Sequence, residues 1–249
     1  MTNEYLFNSI FYPRSYTYSD SKDKLINVDK SFNVNTRWFI SNEKFPNILF
    51  FHGNAEIAQD YNSIAELYNK NNINLIVSEY RGYGLSNGIP TKDNLHSDSI
   101  IIFDQVKKHL SDLNHSTDII IMGRSLGSAS VAHILSCRFQ EIKATIVESG
   151  FANEYFFLDL MGIDKNTINL NTKDGFENFK KFKEYKKPLL VIHSDEDHII
   201  PLSEANIIFE SVKSKHKQLY IARGCNHNNI ILMEQETYFK KIKSFIDSI

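Results

Sequence analysis

The sequence predicts an α/β fold: a mostly parallel central sheet entered by an antiparallel N-terminal hairpin, helices on both faces, and a small cap insertion. Three observations carry this. Short apolar runs alternate with longer segments of helical periodicity, the pattern of βα units feeding a parallel sheet. The first two runs break that alternation, being joined by only a short polar stretch. The length, 249 residues, suits one α/β domain covered on both faces, so residues 1–249 are expected to form a single domain.

In chain order, residues 24–28 and 35–40 read as the antiparallel hairpin. Residues 47–51 form a third strand ending in His-Gly-Asn. A helix over 55–69 follows, with Ile57, Ile64, Ala65 and Tyr68 spaced along it. Residues 74–78 are a buried strand, 79–84 a loop, and 91–110 a helix introduced by Pro90. The strand at 118–122 breaks directly into Gly-Arg-Ser-Leu-Gly, and a helix at 128–137 and a strand at 144–147 come next. Residues 151–187, rich first in aromatic residues and then in lysine, are expected to form the cap. Strands at 188–192 and 218–222 flank a helix at 203–212, and an amphipathic helix at 230–249 closes the chain.

Composition removes several function classes. The chain is 42% hydrophobic and 23% charged with a formal net charge of −2, ordinary for a globular protein. Lysine and arginine are interspersed with acids, leaving no basic stripe for phosphates, so nucleic acid is not an expected partner. Cys137 and Cys225 lie far apart in no metal-binding or redox spacing, which fits a reducing compartment. The first residues lack a basic segment followed by an apolar run, and no apolar stretch approaches the roughly 20 residues that span a bilayer. A soluble, cytoplasmic protein is expected.

The chemistry concentrates at a few places. Gly123-Arg124-Ser125-Leu126-Gly127 matches G-x-S-x-G, whose glycines permit the sharp strand-to-helix turn that presents a serine Oγ above a sheet edge. A strand ends just before it, and Ser128, Ala129 and Ser130 open a helix after it. Gly84-Leu85-Ser86-Asn87-Gly88 matches the same pattern, but several loop residues separate it from a strand. Pro90 also prevents a helix from starting there, so Ser86 reads as a loop residue. A serine nucleophile needs a base within hydrogen-bond reach. His227, just past the last strand, is placed at the same carboxyl edge as Ser125; His109, His115 and His216 fall on helices or their flanks. His52 and His193 also end strands and read as structural. The acid orienting the base is expected between serine and histidine in chain order. The segment from His193 to Pro201 qualifies, with Asp197 the choice and Asp195, Glu196 and Glu148 the alternatives. The backbone N–H groups of Leu126 and Asn54 are the expected oxyanion donors.

Taken together, the segments around His52-Gly53-Asn54, Glu79-Tyr80-Arg81-Gly82-Tyr83-Gly84, Gly123–Gly127, Asp197 and His227 resemble the Bem46-like branch of the α/β hydrolases, which includes the alpha/beta hydrolase domain-containing depalmitoylases. The likeness runs from about residue 11 to about residue 230, with the segments in family order. It implies the α/β-hydrolase fold and, independently of the spacing argument, Ser125, Asp197 and His227 as the triad. Two departures are visible: Ser194 stands where the family usually has glycine, and Asn228-Asn229 follows the histidine where Asn-Asp is common. The branch's membrane-bound depalmitoylases carry N-terminal cysteines for lipid attachment; no cysteine precedes Cys137 here.

The expected activity is therefore hydrolysis of carboxylic esters or thioesters, with no metal or cofactor called for. Amide cleavage by the same triad and non-catalytic ligand binding are the alternatives. The substrate is expected to be a small or lipid-like acyl compound, with Phe151, Phe156 and Phe157 beside its acyl chain.

Overall fold

A computed structural model describes residues 3–164 and 175–249. A short helix α1 (Asn3–Asn8) precedes the antiparallel pair β1 (Asp23–Asp29) and β2 (Phe32–Phe39). Then follow β3 (Asn47–Phe51), α2 (Asn62–Lys70), β4 (Asn74–Ser78), α3 (Lys92–Asp112), β5 (Ile119–Arg124), α4 (Gly127–Arg138) and β6 (Ala144–Glu148). After α5 (Tyr155–Leu160) and α6 (Asn178–Lys183) come β7 (Leu189–Ser194), α7 (Leu202–Ser211), β8 (Lys217–Ala222) and α8 (Ile230–Asp247). The eight strands form one sheet in the order β1-β2-β4-β3-β5-β6-β7-β8. β2 pairs antiparallel with both β1 and β4, and every pairing from β4 to β8 is parallel.

Side-chain alternation sorts the core into two layers. Ile48, Phe50, Ile120 and Met122 pack with α2 and α8 on one face, whereas Leu49, Phe51, Ile119 and Ile121 pack with α3, α4 and α7 on the other. Burial on both faces is why the parallel strands read as unbroken apolar runs. Connections are set locally. Thr91 Oγ1 accepts the Asn94 N–H and Asn94 Oδ1 accepts the Thr91 N–H, a reciprocal cap that starts α3 immediately after Pro90.

Several boundaries differ from the sequence expectation. Ala55 lies in the left-handed region (φ 59°) and Ile57 is extended, so the helix expected from residue 55 begins instead as a 3₁₀ turn at Ala58–Tyr61. β5 runs on through Gly123 and Arg124, and β7 through His193 and Ser194, carrying the strands to the edge where the loops begin. Part of the expected cap, residues 165–174, lies outside the described residues. Among the described residues no helix is long and apolar enough to cross a membrane.

Candidate active site

β5 ends at Arg124 and α4 begins at Gly127, so the chain reverses at Ser125, whose φ of 51° is in the region few non-glycine residues adopt. The turn is closed by its own hydrogen bonds. The Ser125 N–H donates to the Glu148 carbonyl (2.9 Å), and the Ser125 carbonyl accepts from the N–H (3.0 Å) and Oγ (2.7 Å) of Ser128. Gly127 lets α4 start against the end of β3, since a Cβ there would land on the Phe51 carbonyl oxygen. Ser125 is thereby fixed at the carboxyl end of the sheet, 8% exposed.

The loops leaving β7 and β8 are stitched together. The Asp195 N–H donates to the Ala222 carbonyl and the Glu196 N–H to the Cys225 carbonyl, while Asp195 Oδ1 accepts the Gly224 N–H at 2.7 Å. This brings Asp197 under His227, with His227 Nδ1 2.7 Å from Asp197 Oδ2. The Asp197 side chain is fully buried, and its other oxygen accepts the N–H groups of Ile199 (2.9 Å) and Ile200 (2.8 Å). Burial alone raises the Asp197 pKa, but the hydrogen bond and charge of His227 and the two amides outweigh it and hold the carboxyl below its usual range. Asp197 is thus an ionised acceptor, which assigns the His227 proton to Nδ1 and leaves Nε2 with its lone pair.

Ser125 and His227 line one cavity of about 500 Å³, together with Asn54 and Leu126. Among the described residues neither the Asn54 nor the Leu126 N–H has a protein acceptor. The Asn54 side chain is locked: Oδ1 accepts from the Tyr12 N–H (3.0 Å) and the Tyr83 hydroxyl (2.7 Å), and Nδ2 donates to the Ile10 carbonyl (2.6 Å). The apolar wall comes from Ile10, Phe156, Phe157, Leu160, Met161 and Ile199. Phe151, expected beside them, is fully buried behind that wall, its ring 5.3 Å from Phe156 and 5.4 Å from Phe157.

Known proteins resemble this chain in sequence and in fold. The family model described as serine aminopeptidase S33 matches residues 43–155. Alpha/beta hydrolase domain-containing protein 17B of Homo sapiens is 28% identical over 200 residues, 80% of this chain and 65% of that protein. Protein bem46 of Schizosaccharomyces pombe is 28% identical over 210 residues, 83% of this chain and 69% of that protein. An esterase of Pyrococcus furiosus superposes with a TM-score of 0.74 at 19% identity, covering 96% of this chain and 98% of that one. The chain has the α/β-hydrolase fold and is similar to the Bem46-like branch. It spans less than two thirds of the human relative's length.

The remaining candidates make their main hydrogen bonds elsewhere. Ser86 Oγ accepts the Asn35 N–H (2.9 Å) in the loop beside β2. His52 is fully buried with Nε2 2.8 Å from Glu79; burial lowers its pKa, but the Glu79 hydrogen bond and charge outweigh that and raise it. His193 Nε2 donates to the Ile200 carbonyl (2.9 Å) and lies 3.4 Å from Asp197 Oδ2, and burial lowers its pKa. Glu148, an alternative for the acid, faces Arg124 and the Tyr238 hydroxyl (2.5 Å) rather than His227.

Sequence reasoning missed the network around Arg124. Its guanidinium pairs with Glu56, lies 3.3 Å from Glu148, and donates to the His227 carbonyl (2.6 Å) and Asn228 Oδ1 (3.1 Å). Glu56 in turn accepts the Gly53 N–H (2.7 Å) and the Tyr61 hydroxyl (2.6 Å). One side chain therefore ties the turn of Ser125 to the Asn54 loop and the His227 loop. The available signal was a charged residue carried by a strand that is otherwise apolar.

Proposed function

We propose that this hydrolase cleaves carboxylic ester or thioester bonds through a Ser125-His227-Asp197 triad and an acyl-enzyme. The observation that carries the reading is the 2.7 Å hydrogen bond between His227 and buried Asp197 on the cavity that Ser125 also lines. With its proton on Nδ1, His227 takes the Ser125 hydroxyl proton on Nε2 as Oγ bonds to the acyl carbon. The carbonyl electron pair moves onto oxygen, where the N–H groups of Asn54 and Leu126 stabilise it; each such donor contributes roughly 3 kcal/mol. Collapse breaks the bond to the leaving group, which departs with the proton from His227. Water then repeats the sequence on the acyl-enzyme.

The apolar wall of Phe156, Phe157, Leu160 and Met161 favours a medium or long acyl chain, and the described part of segment 151–187 acts as the cap that supplies it, within one domain. Burying a methylene contributes about 0.8 kcal/mol, or roughly fourfold in kcat/KM. Across p-nitrophenyl esters of rising length, kcat/KM should climb by up to about that factor per carbon until the cavity is full. Phe156→Ala with Phe157→Ala should flatten the climb; an unchanged chain-length profile in the folded double variant contradicts the assignment. Two free thiols, one exposed and one buried, suit a reducing cytoplasm.

Amide cleavage is a second reading, favoured by the match to the aminopeptidase model. An ester, a thioester and an anilide of one acyl group separate the two. Esterase or thioesterase chemistry predicts turnover of the first two at least 100-fold above the anilide, and comparable rates favour the amidase.

A further inference from the structure

A second cavity, about 590 Å³, opens between α2 and the first turns of α8. Glu56, Arg124, His227 and Asn228 line both this cavity and the one containing Ser125. The two cavities differ in what else they contain. Ser125, Leu126 and Asn54 line only the first, which holds the nucleophile and the oxyanion donors. The second has apolar sides from Ile64, Leu67, Ile230 and Ile231 over a floor of Arg124 and Glu148.

On the proposed triad chemistry, we propose that this second cavity receives the leaving-group half of the substrate, and that the leaving group is an apolar alcohol or thiol, uncharged or cationic. The argument is one of proton delivery. When the bond from the acyl carbon to the leaving oxygen or sulfur breaks, that atom takes the electron pair and then the proton held on His227 Nε2. The leaving group therefore lies on the histidine side of the carbonyl, and the acyl chain on the side of the oxyanion donors. His227 is the triad member common to both cavities, so the cavity it lines without Ser125 is the one we assign to the leaving group.

Charge sets the class. The lining carries the carboxyl groups of Glu56, Asp60 and Glu148 against a single guanidinium, Arg124. Arg124 is already committed to Glu56, Glu148, the His227 carbonyl and Asn228. Asp60 is paired at the rim with Arg14 (2.7 Å). Among the described lining residues no uncommitted cation remains to receive a carboxylate or phosphate on the leaving group, whereas burying an unpaired anion there is costly. Burial raises the Glu148 pKa, and Arg124 lowers it only in part, which leaves this floor a poor host for a further negative charge.

The test is a set of butanoate esters differing only in the alcohol: methyl, hexyl, 2-phenylethyl, choline and 2-carboxyethyl. Wild type should favour hexyl over methyl by at least about tenfold in kcat/KM, in line with burial of several methylenes. Choline should be accepted and 2-carboxyethyl should be the poorest. Leu67→Trp and Ile231→Trp fill the cavity from partly exposed positions on two different helices. In whichever of them keeps a cooperative melting transition, the hexyl-to-methyl ratio should fall towards one. Phe157→Trp, in the first cavity, should change acyl-chain preference and not that ratio. A wild type indifferent to the alcohol, a preference for 2-carboxyethyl, or a ratio unchanged in the filled variants overturns the assignment while leaving the triad standing. Failure of wild type to turn over any ester, with no labelling by a fluorophosphonate, overturns the triad reading and this one with it.

Discussion

The position of one proton decides how the site works. Asp197 presents Oδ2 to His227 while two amides, from Ile199 and Ile200, hold Oδ1. In Asp197→Asn those amides keep the side-chain oxygen where Oδ1 was, so the NH₂ faces His227. The ring must then accept at Nδ1 and carry its proton on Nε2, the nitrogen that should receive the Ser125 proton. We expect kcat to fall by about 10⁴-fold with the fold retained; steady-state kinetics beside a thermal melt check it, and a loss under tenfold contradicts it. Arg124 makes the opposite kind of prediction, about stability. It is buried between Glu56, whose pKa it holds down against the effect of burial, and Glu148, whose pKa burial raises. Arg124→Met leaves both carboxyls buried without their cation and should cost about 3–5 kcal/mol of unfolding free energy. Urea denaturation measures this, and a change under 1 kcal/mol shows that the network contributes little.

At the scale of elements, the contact between the start of α4 and the end of β3 brings the Ser125 turn beside the loop of Asn54. Gly127 makes this contact possible, because its Cα faces the Phe51 and His52 carbonyls with no room for a side chain. Gly127→Ala should destabilise the protein by about 1–3 kcal/mol through overpacking. It should also lower kcat more than it raises KM, because the proposed oxyanion donors are displaced; wild-type stability in the alanine variant contradicts the role given to this contact. The succession of strands along the chain and the G-x-S-x-G turn were legible in the sequence because buried parallel strands are apolar without interruption and the turn interrupts one of them at two glycines. The edges of elements were less so. Gly123 and Arg124 end the apolar run but not the strand, and the left-handed Ala55 delays α2 in a segment whose apolar spacing looks helical throughout. The phase of α5 was also hidden: Phe156, Phe157, Leu160 and Met161 face the cavity, whereas Phe151 and Leu158 are buried away from it. Pairings such as Arg124 with Glu56 and Glu148 join the ends of two strands and a loop distant in sequence, and no local pattern reports them.

The molecule as a whole carries a built-in sensitivity to acid away from the cavity. His96 of α3 stacks on His133 of α4 (centroids 4.4 Å apart, planes at 7°), and Lys181 of α6 donates to His96 Nε2 at 3.2 Å. Burial, reinforced by the Lys181 charge, lowers the His96 pKa to about 2 and the His133 pKa to about 4. Both rings are neutral in the fold, while the unfolded chain takes up their protons below about pH 6.5. Stability is therefore full above that pH and falls as pH drops from about 6.5 towards 4, by about 1.4 kcal/mol per pH unit for His96 and less for the more solvent-screened His133. The double variant His96→Gln, His133→Gln should show a shallower dependence of unfolding free energy on pH between 6.5 and 4.5, and an unaltered slope contradicts the assignment. The central claim concerns Ser125, and it is tested most directly by labelling with a fluorophosphonate probe, wild type beside Ser125→Ala and Ser86→Ala. The account predicts labelling of wild type and Ser86→Ala and none of Ser125→Ala; labelling that persists in Ser125→Ala, or is lost only in Ser86→Ala, contradicts it.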